Sequence, residues 1–374
     1  MAAMIFIRPL QRGHCGTRSG RSNLENTVQI GAECRAEVSP MHSARFLMHS
    51  ARFLLIAAFT TGIASAQTCD RACLKTTLDQ YLNAVVKHDT SAAPLFVGFR
   101  QTDNGVVVRP GTGTWQSITA LGDIQRKFFD PVSGQAAYLG LIKEGQATDI
   151  ATLRLRVENR QITEAEWVIA REGAIGPSGT AGGNLYNLAG FIAEPPPDRT
   201  VPQNQRASRE VLIAIANSYF DGLTTHDGSI IMAHEGCTRN ENGTHTAGPN
   251  PNAGAGARGG PGGGGDCTSN LTNFNVSLIS ARRYPVVDVE QQAVVGFGIF
   301  LRKPGTTLMR NLLAEWFFVD NNKIRNIWAS MFYPTNDLPV PNWPPYEGNF
   351  PVAAEFAAPA APAAPGPGRG AGRQ

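Results

Sequence analysis

YLNAVVKHDTS, residues Tyr81 to Ser91, returns 138 residues later as YFDGLTTHDGS, residues Tyr219 to Ser229. The same offset carries Asn104-Gly105, sixteen residues after His88, onto Asn242-Gly243, sixteen after His226. Further on, LRVENRQI ending at Ile162 answers FFVDNNKI ending at Ile324, now 162 residues apart. A period close to a whole domain means one domain written twice, because solenoid repeats run only about 20 to 50 residues. The added spacing falls at a glycine-rich stretch, GARGGPGGGG from Gly256 to Gly265. This stretch lacks the Lys-Ser and flanking strand of a phosphate loop, so it reads as a low-complexity insertion.

Each copy reads as helix first, strands afterwards. Leu74, Leu78, Tyr81, Leu82 and Val85 share one helical face, as do Leu212, Ile215, Tyr219 and Leu223. The Asn-Gly pairs predict tight turns. In the first copy helical spacing resumes from about Ser117 to Phe129, before the strand-like runs Ala136–Ile142 and Ala151–Glu158. In the second, Ala293–Leu301, Leu312–Val319 and Lys323–Tyr333 read as strands, and His234 is expected on a second helix after Ile230. The pattern gives an α+β class.

The chain partitions as follows. Residues 1–66 hold an overlong start and a signal peptide, in which MHSARFL occurs twice, at Met41 and Met48, before LLIAAFTTGIASAQ. Arg45 and Arg52, an apolar run and the Ala64-Ser65-Ala66 site before Gln67 are the marks of a secretory signal. The run is too short for a membrane anchor, so no membrane association is expected after cleavage. The first domain covers 67–172, a Gly/Pro-rich linker 173–206, and the second domain 207–345 with its insertion at 247–266. An Ala/Pro/Gly tail, 346–374, reads as disordered.

The segment before Gln67 contributes seven arginines and three acids, leaving 26 basic and 27 acidic residues in the expected mature part. That balance excludes the basic stripe that nucleic-acid binding requires. Four cysteines remain, and a periplasmic or secreted chain permits disulfides. Three connectivities are possible; Cys237 with Cys267 is favoured because it staples the glycine-rich segment, leaving Cys69 with Cys73. Cys69 and Cys73 stand without a second close ligand pair, so no metal is expected, and no dinucleotide or nucleotide fingerprint calls for a cofactor.

The order of a helix ending in His-Asp, an Asn-Gly turn, a middle helix and a final hairpin AEWFFVDNNKIRNI (Ala314 to Ile327) resembles the SnoaL-like group of the nuclear-transport-factor-2 superfamily. CDRACL at Cys69, TRNENG at Thr238, YPVVD at Tyr284 and AEWFFV-x3-KI also resemble a family of secreted bacterial and fungal proteins of unknown function. The resemblance spans Cys69 to Tyr333. It implies two tandem cone-shaped domains, each with N-terminal helices packed on a curved antiparallel sheet around a pocket. It leaves chemistry open, because isomerases, cyclases, dehydratases and plain binders share that fold.

Several residues invite chemistry. Glu315 interrupts the apolar run LLAEWFF, where alternation turns it inward; a carboxylate there has a raised pKa and suits proton abstraction. Its structural alternative is an ion pair with Arg283 or Arg325. Asp288 divides between a hairpin turn and a site. His234 and His226 carry imidazoles, the side chain suited to assisting proton transfer, against a surface role for the first and helix-end geometry for His226-Asp227 and His88-Asp89. Arg239, Asn242 and Trp316 are the expected ligand contacts. Arg154 and Arg156 share a sheet face, either gripping a carboxylate or lying in solvent. The expected function is an exported, cofactor-independent lyase or isomerase acting by proton transfer on a small, hydrophobic molecule. The competing classes are a non-catalytic ligand binder and an assembly module in which the copies form a pseudo-dimer within the chain.

Overall fold

The first repeat opens with α1 (Arg71–Val86), capped by Asp70, whose side chain accepts from the Cys73 amide. A Cys69–Cys73 disulfide ties the chain just before this helix to its first turn. Then follow β1 (Leu95–Asp103), β2 (Val106–Val108), the short α2 (Thr114–Ser117), β3 (Ile118–Asp130), β4 (Gln135–Glu144), β5 (Ala147–Glu158) and β6 (Gln161–Ala170). The segment between the repeats contains α3 (Leu188–Ala193). The second repeat is α4 (Arg209–Thr225), β7 (Ala233–Glu241), β8 (Thr244–Ala247), β9 (Leu278–Asp288), β10 (Ala293–Leu301), β11 (Asn311–Asp320) and β12 (Lys323–Phe332). This computed structural model describes residues 69–249 and 265–335, all within one unit, Gly62–Gln374. The segment expected to be a signal peptide, the centre of the glycine-rich insertion and the C-terminal Ala/Pro/Gly stretch lie outside the described residues.

The class is α+β, with two six-stranded sheets of identical order, β2-β1-β6-β5-β4-β3 and β8-β7-β12-β11-β10-β9. Both sheets are mixed, not antiparallel throughout: β1 runs parallel to β6, and β7 parallel to β12. The stretch from Ser117 to Phe129 is not a second helix but the long strand β3. Register shifts between Ile118 and Ala120 and between Leu121 and Gln125 break its alternation. Bulges of that kind leave Ile118, Leu121 and Phe128 at spacings that imitate a helix. His234 likewise lies on β7, not a helix.

Alternation decides how the layers meet. On β11, Leu313, Phe317 and Val319 join the core beneath α4, while Leu312, Ala314, Trp316 and Phe318 join a second core. That second core also contains Phe128, Ala137, Leu139, Leu141, Ile150 and Val168 of the first sheet. The sheets therefore pack face to face and each helix covers the opposite face of its own sheet. Phe128 and Trp316 lie 4.2 Å apart between ring centroids, and Trp316 Nε1 donates to Thr152 Oγ1 at 3.0 Å.

Reciprocal contacts rim this junction. Asp130 and Asp288 each end a strand and cap the following turn, Asp130 accepting from Val132 and Ser133 and Asp288 from Glu290 and Gln291. Arg71 reaches Asp288 at 3.0 Å, and its repeat partner Arg209 reaches Asp130 at 2.9 Å. The Phe129 amide donates to Asp288 and the Val287 amide to Asp130. Contacts that repeat with the partners exchanged are the signature of twofold pairing.

Residues 173–206 are built into the fold. The Asn187 amide donates to Asn242 O, the Val201 amide to Glu290 O, and Arg199 pairs with Asp320 at 2.5 Å.

Candidate functional site

The two repeats differ most on the helix-facing side of their sheets. In the first, Trp115, Trp167, Tyr81 and Tyr138 are all buried there. Gln101 Oε1 accepts from Tyr81 Oη and Trp115 Nε1, each at 2.8 Å, and Gln101 Nε2 donates to Thr114 and Asp103. This space is filled, and its polar atoms satisfy each other.

Strand pairing aligns the second repeat onto it. Leu153 pairs with Trp167 across β5 and β6; Glu315 pairs with Ala329 across β11 and β12. Gln101 and Asp103 on β1 correspond to Arg239 and Glu241 on β7, beside the same strand partners. His88 Nδ1 faces Trp115 O, and His226 Nδ1 faces Leu271 O, which matches Trp115 with Leu271. Two tryptophans are thus replaced by leucine and alanine, and an apolar residue and an amide by an ion pair.

Against Leu271 and Arg239 lies a cavity of about 440 Å³, within the roughly 300–1,000 Å³ of small-molecule sites. Its walls include Leu223 from α4, Leu271 and Phe274 from the loop before β9, Phe300 and Met331. The Cys237–Cys267 disulfide anchors that loop to β7 at the rim. Deleting core aromatics without refilling costs about 3–5 kcal/mol each, so keeping such a space works against stability.

Polar groups converge at its base. Arg239 Nε donates to Glu315 Oε1 at 2.8 Å, and Arg239 Nη1 to Glu241 Oε2 at 2.9 Å and to Thr246 Oγ1 at 3.0 Å. Tyr333 Oη donates to Glu241 Oε1. Tyr219, Arg239, Glu241 and Tyr333 line the cavity, whereas Glu315 sits behind Arg239 with no exposed surface. Burial raises the Glu315 pKa, although the Arg239 guanidinium opposes the shift. Among the described residues its Oε2 has no hydrogen-bond partner. Burial followed by the Glu241 charge lifts the Tyr333 phenol well above its ordinary value. Burial also lifts Tyr219.

Of the residues singled out from sequence, Arg239 and Glu315 meet here, and Glu315 is paired with Arg239 instead of Arg283 or Arg325. Asp288 lies at the sheet junction, binding Arg71 and two turn amides. His234 Nε2 contacts Asp320 O at the far end of the sheet. His226 is the left-handed C-cap of α4, with Asp227 capping the next turn at Ser229. These three do not line the cavity, because strand geometry carries Asp288 and His234 to hairpin ends and the helix stop fixes His226. Asn242 occupies the Asn-Gly turn, donating to Asn184 O and Met331 O. Trp316 points into the junction between sheets, the parity of β11 placing it opposite to Glu315. Arg154 is buried against Glu164 and Glu166, and Arg283 grips Glu166 from the second sheet at 2.7 Å, whereas Arg156 lies partly in solvent beside Glu158.

Glu241, Tyr333 and Tyr219 were not singled out from sequence. The signal was present: aligning the copies by both offsets sets Asp103, Arg171 and Tyr81 beside them. Among the described residues no cluster of His, Cys, Asp and Glu suits a metal ion.

Residues 205–331, which run from just before α4 to within one residue of the end of β12, match the family model of a domain of unknown function, DUF8021. A comparison with curated proteins found no match.

Proposed function

We propose that the chain is an exported small-molecule-binding protein whose second repeat holds the ligand and whose first repeat is its filled, stabilising partner. The observation that carries this reading is the exchange of Trp115 for Leu271, which is a wall of a cavity over a polar base. Export is supported by the two disulfides and the signal-like segment before Gln67. Among the described residues no helix is long and apolar enough to cross a membrane. A long helix followed by six strands in each repeat supports kinship with the cone-shaped SnoaL-like domains.

The test is to restore the plug. N-phenyl-1-naphthylamine, a neutral probe that fluoresces in apolar sites, is expected to bind the wild-type chain and to lose at least tenfold in affinity in Leu271→Trp, with the circular dichroism unchanged. No binding to wild type, or equal binding to the plugged variant, refutes the proposal.

One observation favours proton transfer as a second reading: Glu241 and Tyr333 share a hydrogen bond and both face the cavity. The base is then Glu241, since Glu315 is enclosed behind Arg239. An aryl ketone held in the cavity in D2O would exchange its α-protons with the wild type and not with Glu241→Gln. Exchange at the buffer rate with both leaves binding alone.

A further inference from the structure

Arg302 follows β10 directly, is 7% exposed and lines the cavity. Its Nε donates to Met309 O at 2.8 Å, and its guanidinium carbon lies 5.8 Å from the Phe300 ring centroid. Among the described residues no carboxylate lies within ion-pair distance of it, and its Nη atoms make no hydrogen bond. Of the carboxylates that line the cavity, Glu241 is committed to Arg239 and Tyr333, and Asp266 accepts from Gly236, Thr268 and Ser269. Glu315 is committed to Arg239.

The first repeat shows what this position normally holds. Strand pairing sets Arg302 in the place of Glu144, Tyr333 in that of Arg171 and Asn311 in that of Asp149. There, Arg171 Nε and Nη2 grip Glu144 at 2.5 and 2.9 Å, and the ion pair closes on itself. The second repeat carries the cation on the opposite strand and a phenol where its counterion would be. A desolvated guanidinium without a counterion is costly, and its planar fork fits a carboxylate through two parallel bonds. Burial accordingly pulls the Arg302 pKa below its usual value.

From this geometry we infer that Arg302 is an anion-recognising residue, and that the ligand is an apolar molecule bearing a carboxylate. The carboxylate pairs with the Arg302 Nη atoms beside Tyr333, and the apolar body lies against Leu223, Leu271, Phe274 and Phe300. This inference rests on the cavity being a ligand site, as proposed above.

The experiment is displacement of N-phenyl-1-naphthylamine by naphthalene-2-carboxylate and by its neutral amide, naphthalene-2-carboxamide. With the wild-type chain the acid is expected to compete at least tenfold better than the amide. Arg302→Met should bring the acid down to the level of the amide, both read against the probe affinity of that variant, and Arg302→Lys should restore part of the preference. Equal competition by acid and amide in the wild type overturns the inference without any variant, as does a preference that survives Arg302→Met in a folded protein. Those results leave the cavity standing. Absence of probe binding, or probe binding that persists in Leu271→Trp, removes the cavity reading and this inference with it.

Discussion

Arg239 and Glu315 stand where the first repeat carries Gln101 and Leu153, and that history makes their coupling measurable. Removing one partner leaves the other charge buried. Arg239→Gln is therefore expected to cost about 3–5 kcal/mol in urea unfolding, whereas Arg239→Gln with Glu315→Leu, the pair found in the first repeat, recovers most of it. Additive losses would show that the two side chains do not depend on each other. A second residue, Asp149, adds a pH dependence. Burial and the neighbouring Glu144 carboxylate push its pKa from 3.8 up to about 7. The folded state holds this proton more tightly than the unfolded chain, so the stability it confers is full at low pH and is lost as pH rises toward 7. Melting temperatures across that range should fall for the wild type relative to Asp149→Asn; a constant difference between the two contradicts the assignment.

At the level of elements, the loop between β8 and β9 is where the repeats diverge in length and where the cavity takes part of its wall. Reducing or replacing the Cys237–Cys267 bridge frees a loop of 30 residues. Loop closure then predicts a loss of about 3–4 kcal/mol, together with weaker probe binding as Leu271 and Phe274 lose their anchor. Unchanged unfolding in Cys237→Ser with Cys267→Ser would assign that anchoring to other contacts. The same elements show what a linear reading can reach. The two long helices, the Asn-Gly turns and the final hairpins were legible because their periodicities survive locally. β3 was not, because bulges scramble its alternation, and neither was the parallel pairing of β1 with β6, which no local pattern encodes. Glu315 was legible as a charge in an apolar run; its partner Arg239, two strands away, depended on sheet order. Asp288 and His234 misled because a polar residue beside an apolar run serves a strand end as readily as a site.

For the whole molecule, the core between the sheets implies that the repeats unfold together. Trp316→Ala empties that core and is expected to cost about 3–5 kcal/mol while leaving one calorimetric transition at a lower temperature. Two separated transitions would mean that the junction couples the halves weakly. The junction also has a bearing on how copies of this chain behave toward one another. The buried Arg154–Glu166 pair of the first sheet occupies the positions that Trp316 and Trp328 hold on the second, and Arg283 crosses over to complete it. Two first-type faces brought together would oppose polar pairs without the aromatic surface that covers them, and two second-type faces would leave Arg283 without an acid. Each face is thus selective for its unlike neighbour, so the junction is satisfied within a single chain and gives two copies of the chain no matching pair of faces to exchange.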